Sequence, residues 1–152
     1  DGTKLVTGGI FAMGSDGVND EESPRHRVAL RPFCMDTYEV TVKRYAACVD
    51  KGACTPAHPD KTWCNASQKG KDDHPVNCVD WKQASELCAF EGKRLPSERE
   101  WEYAARGGAE QRPYAWGAEP PDGRSCYSHP GTCVVGSYPA GAFGLHDITG
   151  NV

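Results

Sequence analysis

GKRLPSEREWEYAARGG, residues 92–108, is the stretch of this sequence with the clearest helix signals. Pro96 disfavours a helix at the residue before it and stands just ahead of the expected start. Ser97 and Glu100 form an S-x-x-E capping box, in which each side chain bonds the other residue's backbone N–H. The pair at 107–108 supplies glycine, the usual residue after a helix C-terminus. The sequence therefore predicts a helix of about ten residues with both ends specified.

Only one face of this predicted helix is apolar. Trp101, Ala104 and Ala105 form the stripe, whereas Glu102 and Arg106 form an i, i+4 ion pair beside it. So short a helix is marginal in water without tertiary packing. We therefore expect Trp101 to be buried against a neighbouring helix.

Two other segments show the same pattern. Thr41 caps the first, which ends near Gly52 and carries the apolar stripe Val42, Tyr45, Ala46 and Val49. Asp80 and Gln83 cap the second, which ends at Gly92 and places Trp81, Ala84 and Cys88 on one face. The second helix, with Trp81, is the expected partner of Trp101.

The rest of the chain is predicted to be short strands and loops. An apolar run covers residues 10–13, an acidic loop rich in Gly, Asp and Asn follows it, and Val28, Leu30 and Phe33 indicate a strand that Pro32 confines to a sheet edge. Residues 53–77 form a long loop, and no clear helix follows residue 108. With 17 glycines and 11 prolines in 152 residues, the composition favours one compact, loop-rich domain over 1–152.

Charge and hydropathy exclude several function classes. The net charge is −4 with interleaved signs, which disfavours nucleic acid and anionic membranes as partners. No apolar stretch approaches the ~20 residues that span a bilayer. The chain begins at Asp1 without a signal peptide or initiator Met, and we expect a processed or excised piece.

Eight cysteines without zinc-finger spacing favour disulfides over a zinc site, and hence an extracytoplasmic compartment: secreted, periplasmic or secretory-pathway lumen. Short loops suggest a bond between Cys126 and Cys133 and another between two of Cys48, Cys54 and Cys64. Pairing is otherwise open. Free buried thiols are the alternative for Cys34, Cys78 and Cys88.

No common catalytic motif is present in the sequence. The five histidines are scattered without identifiable partners, so a structural role is favoured for each. Arg94 either binds an anion or pairs with a carboxylate, and pairing is favoured. Asn65 begins a glycosylation sequon. Asp147, Gly150 and Asn151 offer oxygen ligands of the kind that calcium prefers.

Seven blocks in this order resemble the sulfatase-modifying-factor family, the formylglycine-generating enzyme domain. They are FAMGSD at 11–16, ESPRHRV at 22–28, MDTYEVT at 35–41, HPVNCVDW at 74–81, AFEGKRLPSEREWEYAARGG at 89–108, YAWG at 114–117 and GAFGLHDITGNV at 141–152. The resemblance implies an α+β fold related to C-type lectin, loop-rich, with few short helices and short antiparallel strands.

The resemblance also implies an activity and its cofactors. Enzymes of this family oxidise a sulfatase cysteine to formylglycine with molecular oxygen and copper held by two C-terminal cysteines. Those cysteines have no match before the final GNV, so we expect a domain over 1–152 that is incomplete at its C-terminus, with no catalytic residues and no turnover. Cys88 corresponds to a position that pairs with a cysteine near the family's C-terminus, which leaves it unpaired here.

A family calcium site maps in part. The resemblance implies ligands from the Asp147 side chain and from the carbonyls of Gly150 and Val152, completed by a Glu two residues beyond Val152. The family's second calcium site has no match in the stretch that holds Cys126 and Cys133.

Two functions remain open at this stage. The first is the N-terminal portion of a formylglycine-generating-type oxidase, whose partner is a sulfatase-type peptide. The second is a non-catalytic ligand-binding or sensory module, for example one attached to a kinase, with another protein ligand as partner. An iron-dependent sulfoxide synthase of the same superfamily needs a histidine set that this sequence does not offer. We also expect poor folding of the chain alone, with an apolar patch at Trp81 and Trp101.

Overall fold

The computed structural model describes residues 2–17 and 22–152. The middle of the predicted acidic loop, residues 18–21, lies outside the described residues. Within these ranges, four strands form two separate antiparallel pairs, one joining β1 (Thr3–Val6) to β4 (Phe33–Asp36) and one joining β2 (Gly9–Met13) to β3 (His26–Leu30). Three helices follow: α1 (Val42–Asp50), α2 (Trp81–Phe90) and α3 (Glu98–Ala105). The fold is α+β and rich in loops, as predicted.

The strand expected around Pro32 is two strands. β3 ends at Leu30 and β4 begins at Phe33, and each pairs with a different neighbour. Proline has no N–H to donate, so the ladder breaks at Pro32 and the chain passes from one sheet to the other. β1 lies in a segment with no strong apolar pattern, and the sequence did not indicate it.

The helix caps agree with the sequence. The Thr41 hydroxyl accepts from the Arg44 N–H, and Asp80 and Gln83 exchange side-chain and backbone bonds of 2.8 and 2.9 Å. Glu100 accepts from the Ser97 N–H at 2.8 Å. After residue 108 the described chain contains only two short 3-10 turns, at Gly108–Glu110 and Ala142–Gly144.

The predicted burial of the tryptophans is wrong. Trp101 is 50% exposed and Trp81 is 76% exposed, whereas Tyr103 is 3% exposed. α3 packs against β2 and both 3-10 turns, while α2 packs against α1. Of the predicted stripe, Ala104 is fully buried, as expected, but the side chain beside it on the face of α3 that meets β2 is Tyr103 and not Trp101. Both indole rings are exposed, in agreement with the apolar surface expected at these two residues, and poor folding of the chain alone stays a prediction.

Tyr103 lies at the centre of one of the two hydrophobic clusters found among the described residues. Its ring contacts Phe11 edge-on, with centroids 5.2 Å apart, and stacks on Phe143 at 5.9 Å. Val6, Ala104 and Leu145 complete the buried part of this cluster. The second cluster lies between α1 and α2 and contains Val42, Tyr45, Cys48, Cys54, Val76 and Leu87.

We predict opposite outcomes for the two neighbouring aromatics of α3. Tyr103→Ala removes a buried ring and should lower the free energy of unfolding by about 3–5 kcal/mol. Trp101→Ala, the matched control, should cost about 1 kcal/mol or less because half of the side chain is already in water. Urea unfolding of both variants measures the difference. A larger loss for Trp101→Ala than for Tyr103→Ala would contradict this packing.

Candidate functional site

The predicted oxygen ligands lie in a segment of unusual backbone. Asp147, Gly150 and Asn151 all have positive φ, at 58°, 109° and 82°. This left-handed geometry turns the chain sharply and frees backbone groups for other partners. Asp147 is held by the Gly136 N–H, which donates to its Oδ2 at 2.6 Å.

Glu39 lies beside this segment and is the site residue that the sequence did not reveal. Its Oε2 accepts from Asn151 Nδ2 at 2.8 Å, and its Oε1 accepts from the Val152 N–H at 3.4 Å. More than 100 residues separate the partners in the chain, so no local spacing could indicate the contact. Glu39 lies three residues beyond β4, and these two hydrogen bonds join it to the final turn.

The environment of Glu39 disfavours its charged form. Burial raises its pKa to about 8, and the neighbouring Asp147 carboxylate adds to the rise. The hydrogen bonds from Val152 and Asn151 offset only part of this effect. The structure therefore brings two carboxyl groups together at the predicted ligand segment, and a cation between them would relieve their repulsion.

Asn151 has partners besides Glu39. Its Oδ1 accepts from the Cys133 N–H at 2.9 Å, its Nδ2 donates to the Cys133 carbonyl at 3.3 Å, and its own N–H donates to the Cys126 carbonyl at 3.3 Å. One amide side chain thus connects the 126–133 loop to Glu39. The sequence offered Asn151 as a ligand, whereas the structure uses it as a bridge.

Six cysteines form disulfides: Cys48–Cys54, Cys64–Cys78 and Cys126–Cys133. The predicted Cys126–Cys133 bond is confirmed, as is a bond between two of Cys48, Cys54 and Cys64. The alternative of a free thiol is wrong for Cys78. Cys34 and Cys88 are free, but Cys34 is exposed rather than buried.

Both free thiols line a groove of about 480 Å³. Its walls also include Asp36, Arg94, Trp101, Leu145 and His146. Burial raises the pKa of the Cys88 thiol, and the carboxylates of Asp36 and Glu91 add to the rise. Cys88 is therefore a neutral thiol at pH 7, which disfavours nucleophilic chemistry at this position.

Charged side chains at one end of the groove are paired. Arg44 Nη2 donates to Asp36 at 2.6 Å and also binds Glu91, and Lys93 bridges the same two carboxylates at 2.8 and 3.1 Å. The bond from Arg44 lowers the pKa of Glu91 to about 2.

Arg94 is also paired. It binds Glu100 with two contacts of 2.7 Å, as the pairing hypothesis for Arg94 requires. The pKa of Glu100 is lowered to about 2, mainly by this bond. Arg94 and Glu100 therefore stabilise the groove wall, and the Arg94 guanidinium is already neutralised and not free to bind an anion.

The remaining polar candidates have structural partners. His74 Nδ1 lies 2.9 Å from Thr132 Oγ1, and His146 stacks on Tyr38 with centroids 4.9 Å apart. Asn65 is 2% exposed and donates to the Pro75 carbonyl at 2.7 Å. A buried amide in this bond is closed to glycosylation, so the sequon is structural.

Comparison with known proteins agrees with the fold and the sequence blocks. The sequence profile of the sulfatase-modifying factor enzyme 1-like domain matches residues 1–152. The structure of PvdO from Pseudomonas aeruginosa superposes with a TM-score of 0.79 and 26% identity, covering 99% of this chain and 67% of that one. Within the described residues, no helix has the length and apolar character needed to cross a bilayer.

Two groups of curated relatives align with almost the whole chain. The formylglycine-generating enzyme of Streptomyces coelicolor is 35% identical over an alignment that covers 99% of this chain and 67% of the enzyme. The serine/threonine-protein kinase pkn1 of Chlamydia pneumoniae is 33% identical, with 97% of this chain and 26% of the kinase covered. The chain thus spans about a quarter of the kinase and about two thirds of the enzyme. It belongs to the sulfatase-modifying factor enzyme 1-like domain family.

Proposed function

We propose that this chain is the N-terminal portion of a formylglycine-generating-type oxidase, which converts a sulfatase cysteine to formylglycine in the intact protein. The observation that carries the proposal is the 35% identity to the Streptomyces coelicolor enzyme over 99% of the chain. The partner is then a sulfatase-type peptide. The three disulfides support an extracytoplasmic location, because such bonds persist in oxidising compartments.

The residues present do not fit the copper centre of that chemistry. Copper needs a pair of thiolates, but six of the eight cysteines are in disulfides. The two free cysteines, Cys34 and Cys88, do not match the C-terminal pair that the family uses for copper. We therefore derive no catalytic step within these residues, and assign them the role of scaffold.

A second function has its own observation. The chlamydial kinase carries a segment 33% identical to 97% of this chain, and that segment is about a quarter of the kinase. A module used beside a kinase serves binding or sensing rather than oxidation. Under this alternative the groove at Trp101 is a ligand site and no formylglycine forms.

We further propose calcium as a ligand of the final turn, held by the Asp147 side chain and the carbonyls of Gly150 and Val152. Carboxylate and carbonyl oxygens are the donors that Ca²⁺ prefers. The support from this structure is Glu39, whose carboxyl oxygens accept from Asn151 and Val152 and whose pKa is raised by burial and by the Asp147 charge. A cation there would favour the ionised form of both groups.

The raised pKa of Glu39 predicts a fall in stability with increasing pH. The folded state keeps the proton up to about pH 8, whereas the unfolded state loses it near 4.5, so stability is lost as pH rises between these values. Partial exposure limits the loss to about 1–3 kcal/mol. In the absence of calcium, Glu39→Gln should abolish this loss of stability.

Urea unfolding from pH 5 to 8 checks this pH dependence. The quantity compared is the difference in unfolding free energy between the wild type and Glu39→Gln at each pH. Subtraction is needed because His74 also contributes to the pH dependence. Burial lowers the pKa of His74, so its contribution to stability rises with pH below about 6.5 in both proteins and cancels in the difference. The exposed Glu98→Gln serves as the carboxylate-removal control. Parallel curves for wild type and Glu39→Gln would contradict the assigned environment.

Calcium should stabilise the wild type most at pH 8, where Glu39 must otherwise ionise unpaired. At 100 times the dissociation constant the gain is about 2.7 kcal/mol. Asp147→Asn should remove most of the gain, and Mg²⁺ should give less because it demands a tighter octahedral shell. The stabilisation by each cation is measured by thermal unfolding of the wild type and of Asp147→Asn with Ca²⁺ and with Mg²⁺. An equal calcium shift in Asp147→Asn would refute the site.

Turnover separates the two functions. With copper(I) and a Cys-x-Pro-x-Arg peptide, this 152-residue chain should consume no oxygen and form no formylglycine. A longer gene product with two nearby cysteines downstream should do both if the oxidase proposal is right. Binding of the peptide or another ligand by that longer product, without turnover, would favour the sensory module. Robust turnover by the 152 residues alone would overturn the scaffold role.

A further inference from the structure

The loop closed by Cys126 and Cys133 contains a third soft ligand. The two sulfurs and a ring nitrogen of His129 all lie within 4.8 Å of one another. Within residues 2–17 and 22–152, no other three side chains of Cys, His, Asp or Glu meet in this way. The spacing, Cys-x2-His-x3-Cys, is not a zinc-finger pattern, so the group is visible only in three dimensions.

The ends of this loop are held by more than the disulfide. Asn151 binds the N–H and carbonyl of Cys133 and the carbonyl of Cys126, with distances of 2.9, 3.3 and 3.3 Å. The Cys126 side chain is buried and that of Cys133 is half-buried. Breaking the sulfur–sulfur bond therefore leaves both cysteine backbones fixed to Asn151, Cys133 by the side-chain amide and Cys126 by the backbone N–H, and the two thiols stay close together.

We propose that reduction of the Cys126–Cys133 disulfide turns this loop into a zinc-class metal site, with the Cys126 and Cys133 thiolates and the His129 imidazole as protein ligands. Two thiolates and one imidazole are donors that Zn²⁺ favours, and they leave a fourth tetrahedral position for water. His129 is exposed, so water has access to the site.

The movement needed is small. Bonded sulfurs are about 2 Å apart, whereas two thiolates on one tetrahedral zinc, each bonded at about 2.3 Å, are roughly 3.8 Å apart. Rotation about the two Cα–Cβ bonds supplies this separation without breaking the Asn151 bonds. His129 is already within reach of both sulfurs.

The chemistry balances in two steps. A phosphine or dithiol reductant gives two electrons to the disulfide and is itself oxidised, to a phosphine oxide with oxygen from water or to its own disulfide. Two thiols form, their protons coming from water or from the dithiol. Zinc then displaces both protons as it binds the thiolates, so uptake releases two protons per metal. Oxidation to the disulfide removes both sulfur ligands and expels the metal.

This site differs in kind from the carboxylates at Glu39 and Asp147. Thiolate and imidazole select zinc-like ions, whereas paired carboxylates select calcium or magnesium. The two proposals therefore fail independently, even though Asn151 touches both places.

Cobalt(II) titration of the reduced chain tests the inference, because cobalt takes the zinc site and reports its ligands. We expect one cobalt per chain, with a thiolate charge-transfer band and the visible bands of a tetrahedral ion, both lost when zinc is added. The oxidised chain should show neither. A reduced chain without these bands, or one that binds cobalt without the thiolate band, would overturn the proposal.

Three variants assign the ligands. Cys126→Ser/Cys133→Ser should abolish the bands, and His129→Ala should weaken zinc binding at least about tenfold while leaving the disulfide able to form. Cys34→Ser/Cys88→Ser, the control for the free thiols, should bind like the wild type. Zinc should also protect Cys126 and Cys133 from alkylation. Unchanged affinity in His129→Ala, or bands that survive without Cys126 and Cys133, would refute the assignment.

Discussion

The burial of the Tyr103 ring is the interaction on which the rest of this structure depends. Phe11 and Phe143 contact the ring from β2 and from the 142–144 turn. Gly9 leaves the space for it, since a Cβ there would lie 2.5 Å from the Tyr103 hydroxyl. One side chain thus joins the N-terminal strands, α3 and the segment that leads to Asp147. Without the buried Tyr103 ring, the strands, α3 and this segment would be joined by little regular structure, because each sheet has only two strands.

The candidate ligand residues lie in loops. Hydrogen bonds from side chains hold these loops in place, and not the backbone hydrogen bonds of a β-sheet. Asn151 fixes the 126–133 loop and reaches Glu39, and Asn65 and Asn77 perform the same task in the 64–78 loop by bonding each other's N–H at 2.9 and 3.2 Å. Three disulfides add covalent closure. Irregular chain held in this way brings together groups that are far apart in sequence, as Glu39 and Asn151 are.

Short-range sequence patterns predicted the features that depend on contacts between residues close together in the chain. The caps at Thr41, Asp80 and Ser97 could be identified because donor and acceptor are three residues apart, and the family could be recognised from ordered blocks. The buried face of α3 could not, because Tyr103 and Trp101 are both aromatic and only the shape of β2 distinguishes them. Glu39 was missed for the same reason, because its partners Asn151 and Val152 lie more than 100 residues away. At His129 the spacing gave only the Cys126–Cys133 bond, and the position of the imidazole ring beside both sulfurs had no sequence signal.

Native-state hydrogen exchange tests most directly whether Tyr103 couples these segments into one cooperative unit. The amides to follow are those of β2, those of α3, and the His146 N–H, which donates to the Thr37 carbonyl at 2.9 Å. The account predicts that all three exchange only through global unfolding, with the same free energy. Exchange of β2 or His146 at a free energy at least about 2 kcal/mol below that of α3 would show separate units and contradict it.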